Sequence, residues 1–165
     1  MMDSLKILID ALREELEQYG EMLARLDEQQ EYAMRRAADE LLQSVAAVQQ
    51  QGERVRLARQ SRAAAQITLA QKMSLPKDAT FAQIIPLLPE NYRPLVQALV
   101  QENNELLVRV QQRARQNHIL LLRSLELMRN LMNSLFPGSA PPVYNETGML
   151  LKQAIPSRSI YEAAG

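Results

Sequence analysis

The chain has 165 residues, about one domain, and a formal net charge of zero, so overall charge favours neither nucleic acid nor an anionic membrane as a partner. Hydrophobic residues make up 47% of the chain but aromatic residues only 4%, and Gly occurs five times, a composition typical of helices that leaves little room for strands. The lack of cysteine excludes disulfide scaffolds and thiol chemistry and fits a reducing cytoplasm.

The N-terminal segment predicts a long helix with a coiled-coil seam. Acidic residues interrupt its apolar residues, so it lacks the core of a signal peptide, and no run in the chain approaches the ~18 apolar residues of a transmembrane helix. Ser4, or Asp3 before it, can cap the helix start. The seam positions then follow each other in alternating steps of four and three. They are Leu5, Ile9, Leu12, Leu16, Tyr19, Leu23, Leu26, Gln30, Ala33 and Ala37.

The pattern slips after Ala37, and two structures fit the slip. The next apolar position, Leu41, follows only after a second consecutive step of four. Either one continuous helix carries a stutter, or a tight turn near residues 36–39 starts a second helix with Asp39 as its cap. We favour the turn, although neither Gly nor Pro marks it. The second helix then ends shortly before Pro76.

Residues 76–94 contain four Pro and predict a connector packed over the bundle, with Thr80 capping a short amphipathic piece. Pro94 suits the first turn of a last long helix, which ends before Pro137. We therefore predict an all-α fold: an elongated antiparallel three-helix bundle or coiled coil with a short connector helix and a flexible C-terminal tail. The expected helices cover about residues 3–35, 39–73, 81–86 and 91–136 in a bundle domain of residues 1–137, followed by a Pro-, Ser- and Gly-containing tail of residues 138–165.

Residues that could support catalysis or bind a metal are sparse in the sequence. His118 is the single histidine, and a lone helical histidine is far more often a packing or surface residue than a ligand. Acid pairs such as Glu14 with Glu17 lie at i, i+3 on the first helix, but no Glu-x-x-His segment exists to complete a carboxylate metal site. We therefore expect no enzyme activity, no catalytic or metal-binding residues and no cofactor.

The stretch from Ile119 to Phe136 is more apolar than a bundle helix requires. Eleven of its 18 residues are large and apolar, whereas a helix in a three-helix bundle needs an apolar face of roughly three positions in seven. Two interpretations stay open: a wide helix buried by the other two, or a leftover groove face for a partner helix. Met128 and Met132 suit an adaptable surface of the second kind.

Several segments together resemble the FlgN family of flagellar export chaperones. In chain order they read LIDALREELEQYGEMLARLDEQQE, AADEL, IIPLLPENYRP, RQNHILLLRSLELM and PPVYNETG, and the resemblance covers residues 5–148. The last segment is the most specific. It places Tyr144 and Gly148 four residues apart in a Pro-rich segment just beyond the long helix, as in the family.

The resemblance implies a cytoplasmic, non-enzymatic chaperone of bacterial flagellum biogenesis. Such a protein binds the C-terminal amphipathic helices of hook-filament junction proteins (FlgK and FlgL type), prevents their premature assembly and delivers them to the flagellar export gate of the type III secretion system. The family implies an export-gate contact at Tyr144 and Gly148, while the charge and hydropathy above argue against nucleic acid and direct membrane insertion. The client-binding residues carried over from the family are Leu121, Leu122, Leu125, Met128, Leu131, Met132 and Leu135.

Other functions stay open on the sequence alone. One alternative is a coiled-coil adaptor or structural rod that dimerises through its helical seams, and another is a regulatory helical hairpin that acts on a signalling enzyme. Weak self-association of the free chain is also left open. A further hypothesis concerns residues 149–165. If these coil into a helix, Leu151, Ala154 and Ile155 share one face and mimic a client helix resting in the groove.

Overall fold

A computed structural model describes residues 1–137, 143–144 and 150–151 of the chain. Most of these residues are helical, which confirms the predicted all-α fold. One short antiparallel strand pair places Val143 opposite Leu151 and Tyr144 opposite Leu150. The elements in chain order are α1 (Met2–Arg35), α2 (Ala38–Lys72), α3 (Phe81–Ile84), a 3₁₀ turn (Ile85–Leu87), α4 (Arg93–Leu135), β1 (Val143–Tyr144) and β2 (Leu150–Leu151).

The chain falls into two compact units, Met1–Leu120 and Leu121–Gly165. The division into a bundle domain of residues 1–137 and a tail of residues 138–165 stays a prediction. Apart from the two strands, the predicted tail lies outside the described residues, and so do Ala154 and Ile155. The strand at Leu150–Leu151 corrects the helical conformation supposed for this part of the tail, since its backbone is extended and hydrogen-bonded to β1.

A tight turn separates α1 from α2, as the favoured interpretation expected. Arg36 adopts a left-handed conformation (φ 56°, ψ 34°), its N–H donates to the Ala33 carbonyl, and the Ala37 N–H donates to the Tyr32 carbonyl. These are the two hydrogen bonds of a Schellman motif, which normally uses Gly or Asn at the left-handed position. The expected cap is wrong, because Asp39 lies in the first turn of α2, where its charge complements the helix dipole instead.

α1 and α2 are antiparallel and are the most closely packed pair of long helices. Lys72 Nζ donates to Ser4 Oγ at 2.6 Å, and Gln51 Nε2 donates to the Gln18 carbonyl at 3.0 Å, so the end of α2 meets the start of α1. The close approach follows from the short or slender side chains that α2 buries at seven-residue intervals. These are Ser44, Gln51, Ala58 and Ala65.

α4 runs parallel to α1 within the first unit. Asn103 Nδ2 donates to the Leu12 carbonyl at 3.0 Å, and Asn117 Nδ2 donates to the Leu26 carbonyl at 2.8 Å. Both donors lie 91 positions after their acceptors, so the two helices advance together along this contact. The first unit is therefore a three-helix bundle in which two helices point one way and α2 points the other.

The hydrophobic core gathers at the connector end of this bundle. Ile84 and Leu88 of the connector are buried against α1, α2 and the start of α4. Gln83 holds the connector by accepting the Thr80 N–H at 2.9 Å, which is half of a capping box. Arg93 Nε donates to the Leu88 carbonyl at 2.7 Å where α4 begins. The buried cluster comprises Leu5, Leu8, Ile9, Ala11, Leu12, Ala65, Leu69, Ala70, Ala79, Ile84, Leu88, Val96 and Leu99.

Polar side chains replace much of this apolar core further along the bundle. Tyr19, Met22 and Leu26 are still buried there, but Gln29, Gln51 and Asn117 are buried in the same part of the bundle. A buried polar atom without a hydrogen-bond partner costs about 1–3 kcal/mol, so this part of the interface is less stabilising than the connector end. The buried polar and charged residues are Ser4, Glu15, Gln29, Ser44, Gln51, Asn103 and Asn117.

Candidate functional site

The last turns of α4 expose a concentration of large apolar side chains. Every residue from Leu122 to Pro137 is exposed, and Leu125, for example, keeps 47% of its surface accessible. A protein that acts alone rarely leaves so many contiguous apolar side chains in water, and such patches usually mark interaction sites. We call this surface the α4 face. Its exposed members are Leu122, Leu125, Leu127, Met128, Leu131, Met132, Leu135 and Phe136.

The apolar residues lie mainly on one side of the helix. At about 100° per residue, those from Leu121 onwards cover roughly half of the circumference of α4. Leu122 lies outside this sector, beside Arg129. Arg123, Glu126, Asn130 and Asn133 occupy the opposite side, so this stretch is amphipathic with a broad apolar sector. The helix itself follows from the sequence, which is rich in Leu, Met, Arg and Glu and has no Gly or Pro before Pro137.

The structure brings the seven client-binding residues expected from the family together on this one stretch. Leu121 is half-buried, and the other six are exposed: Leu122, Leu125, Met128, Leu131, Met132 and Leu135. Their exposure favours the interpretation of a free groove face for a partner helix. Leu127 and Phe136 belong to the same exposed surface but were left out of the expected set. Counting every large apolar residue of the stretch, rather than the seam positions alone, would have found them.

The two expected export-gate residues fall in the second unit. Tyr144 belongs to β1, and its backbone pairs with Leu150 of β2. Gly148 lies outside the described residues. The structure therefore places Tyr144 in a strand pair, and the role of both residues stays a prediction.

The first unit contains a buried ion pair between Glu15 of α1 and Arg62 of α2. Glu15 accepts hydrogen bonds from Arg62 Nε at 2.8 Å and from the Tyr19 hydroxyl at 2.9 Å. The Arg62 guanidinium lies 6.0 Å from the centre of the Phe81 ring. Burial, together with the hydrogen bond to Glu15, raises the pKa of Tyr19 to about 12. These contacts pair the buried carboxylate with α2 and give it a structural part in the bundle.

His118 is exposed on α4. Within the described ranges, no three side chains of His, Asp or Glu come together as a metal ion would require. None of the helices that the structure describes carries an apolar stretch long enough to cross a bilayer.

A helical bundle whose longest helix ends in an uncovered amphipathic stretch has the form of a protein that binds other helices. The family model described as "FlgN protein" matches residues 1–152, which is most of the chain. The chain therefore belongs to the FlgN family of flagellar export chaperones, a family of chaperones rather than enzymes. Neither a curated protein nor a solved structure matches the chain.

Proposed function

We propose that this protein is a cytoplasmic chaperone of hook-filament junction proteins. It binds their C-terminal amphipathic helices on the α4 face and delivers them to the flagellar export gate. Family membership supports the chaperone role, and the exposure of the α4 face is the structural observation that carries the choice of binding surface.

The chemistry of the α4 face suits a helical client. An amphipathic helix buries its apolar positions at i, i+3, i+4 and i+7, so it needs a long apolar stripe rather than a deep pocket. The α4 face offers such a stripe along Leu121, Leu125, Met128, Met132 and Leu135, whose steps alternate between four and three. The two methionines adapt their shape to different clients, because their side chains are unbranched and have three rotatable bonds.

Binding also serves the client. The C-terminal helices of subunits that assemble end to end are themselves amphipathic, and left in water they associate with each other. When such a helix packs against the α4 face, the apolar surfaces of both partners are removed from water. Each Å² of apolar surface buried contributes about 25 cal/mol of favourable free energy. A helix-to-helix contact of this kind holds the client until it is passed on.

The double substitution Leu125→Asp with Met132→Asp tests this surface. Both residues lie in the middle of the α4 face, so the two carboxylates would have to be buried or the contact given up. We expect the affinity for a synthetic peptide of a junction protein's C-terminal helix to fall at least tenfold, measured by fluorescence anisotropy. The matched control is Asn130→Asp with Asn133→Asp, which adds the same charge to the opposite side of the same helix. Equal affinities of the two variants would contradict the assignment.

Delivery is proposed to use the tail through Tyr144 and Gly148. We expect Tyr144→Ala to leave peptide affinity within about twofold of the unsubstituted protein and to reduce export of junction proteins in a flagellated cell. The control is Tyr144→Phe, which keeps the ring and loses only the hydroxyl. Loss of peptide binding in Tyr144→Ala would place this residue in the client site and remove the proposed division of roles.

A structural rod that dimerises through its seams is the competing function. Seam residues such as Leu5, Leu12, Tyr19 and Leu26 are buried within one chain, so a dimer built through them would have to open the bundle. Sedimentation of the purified protein separates the two functions. A stable dimer that Leu125→Asp with Met132→Asp dissociates would show that a second copy, rather than a client, covers the α4 face.

A further inference from the structure

Three buried amide side chains repeat one arrangement in the interfaces of the first unit. Each donates both of its hydrogen bonds to oxygen atoms, and each leaves its own amide oxygen without a partner among the described residues. Gln51 Nε2 donates to the carbonyl and the side-chain oxygen of Gln18, which joins α2 to α1. The other two are Asn103 and Asn117, which join α4 to α1.

The orientation of these amides follows from their partners. The side-chain amide of Asn103 donates to the carbonyls of Leu12 and Leu99. Rotating this amide by 180° would place its own oxygen against the two carbonyl oxygens, which repel it. Asn117 donates to the Leu26 carbonyl and to Gln29 Oε1, so the same holds for it. The unpaired oxygen is therefore a property of the packing and not of an arbitrary assignment.

Asn103 and Asn117 make the same contact two heptads apart. Their acceptors, Leu12 and Leu26, are also two heptads apart on α1. Sliding α4 along α1 by one residue would break both contacts together, so each amide would lose its hydrogen bond to α1, while Asn103 kept its bond to Leu99 within α4. Buried polar residues at seam positions are known to specify the register of coiled coils at the expense of stability. The two asparagines thus select this parallel register of α4 on α1.

The stretch of α4 that follows Asn103 is less deeply buried than the start of the helix, and its apolar residues Leu106, Leu107 and Val110 are only half-buried. Among residues 104–120, all of which the structure describes, Asn117 is the one residue that is fully buried. Arg113 adds an ion pair with Asp27 at 2.8 Å and a hydrogen bond to Gln30, but its side chain and that of Asp27 are partly exposed to water. Exposed pairs of this kind contribute little. By contrast, Val96 and Leu99 anchor the start of the helix in the apolar core.

We propose that residues 104–120 of α4 form a segment that opens away from α1 locally, while the connector end stays closed, and that Asn103 and Asn117 return the segment to one register each time it closes. Opening uncovers the part of α1 between its contacts with Asn103 and Asn117, where Tyr19 and Leu26 are buried in the closed bundle. The first unit therefore holds a second apolar strip that is covered most of the time. Local opening of segments with few buried apolar contacts is expected on physical grounds.

Hydrogen exchange of the full-length protein, followed by mass spectrometry, tests the opening. We expect amides of residues 104–120 to exchange at least tenfold faster than those of residues 94–103. Asn117→Leu combined with Gln29→Leu replaces the unpaired amide and the buried side chain that accepts its hydrogen bond with apolar side chains of similar size, so that no buried acceptor loses its donor. It should slow exchange in residues 104–120 by at least tenfold and raise the Tm by about 2–4 °C. The control Arg109→Leu, at an exposed position of the same segment, should change neither quantity.

Two results would overturn the proposal. Equal exchange rates along the two stretches of α4 in the unsubstituted protein would show that the helix does not open in parts. A lower Tm for the variant with Asn117→Leu and Gln29→Leu, whether or not the circular dichroism spectrum stays helical, would show that the two amides stabilise the seam rather than weaken it.

Register is tested separately by adding Asn103→Leu to the variant with Asn117→Leu and Gln29→Leu. The triple variant should be more stable but should lose its single register, which appears as doubled or broadened amide signals of α4 in NMR spectra. One sharp set of signals at the shifts of the unsubstituted protein would show that the apolar contacts alone select the register.

Discussion

The two ends of α4 contain the same kinds of side chain in opposite surroundings. Near its start, Val96 and Leu99 are buried in the core, and Leu99 keeps 7% of its surface accessible. Near its end, Leu125 and Met128 have the same spacing of three residues and are both exposed. Apolar residues at helical spacing therefore predict a face that must be covered, but the covering partner is a neighbouring helix at one end and is proposed to be a client at the other.

The largest difference between the two ends of α4 is expected in how much a substitution changes the free energy of unfolding. Leu99→Ala should lower the free energy of unfolding by about 2–5 kcal/mol, since it removes buried methyl groups and leaves a cavity. Leu125→Ala should change it by no more than about 0.5 kcal/mol, because the side chain is exposed. Urea denaturation followed by circular dichroism measures both. A large loss of stability for Leu125→Ala would break the comparison, since it would mean that the α4 face is covered in the free protein.

A smaller effect is expected from the tail. Truncation after Gly148 removes β2 and everything beyond it, including apolar residues that are hypothesised to compete with the client for the α4 face. The affinity for the client peptide should then rise by about twofold to threefold, and binding of an apolar dye by the free protein should increase. Loss of client affinity would instead make the tail part of the binding site.

An effect on the pH dependence of stability concerns the buried hydroxyl of Tyr19. Because burial and the hydrogen bond to Glu15 raise its pKa to about 12, the folded protein keeps this proton at pH values where the unfolded chain has lost it. The stabilisation from Tyr19 is therefore complete below pH ~10 and is lost as the pH rises towards 12. Tyr19→Phe should lower the stability at pH 7 by about 0.5–1.5 kcal/mol and remove this part of the alkaline pH dependence. An unchanged pH profile above 10 in that variant would show that other groups cause it.

The first unit itself contains two regions that are held together by different interactions. The apolar cluster around Leu69 and Ile84 gives the connector end its stability, whereas Gln51, Asn103 and Asn117 connect the helices further along through hydrogen bonds to backbone carbonyls. The spacing of 14 residues puts Asn103 and Asn117 on one side of α4, but it does not reveal which carbonyls they meet. Their contacts depend on the distance and register between α1 and α4, which local spacing does not contain.

The sequence by itself determined the helices, their approximate ends at Pro76 and Pro137, the connector and the family. Periodic apolar spacing, proline and composition act over a few residues, so they can be interpreted without a structure. Local signals left the turn between α1 and α2 open, because Arg36 rather than Gly takes the left-handed position there. Only the tertiary structure decided that Leu99 is covered and Leu125 is not, since burial depends on which helices lie alongside. The excess of apolar residues after Ile119 indicated a face to be covered, and the structure shows these side chains exposed.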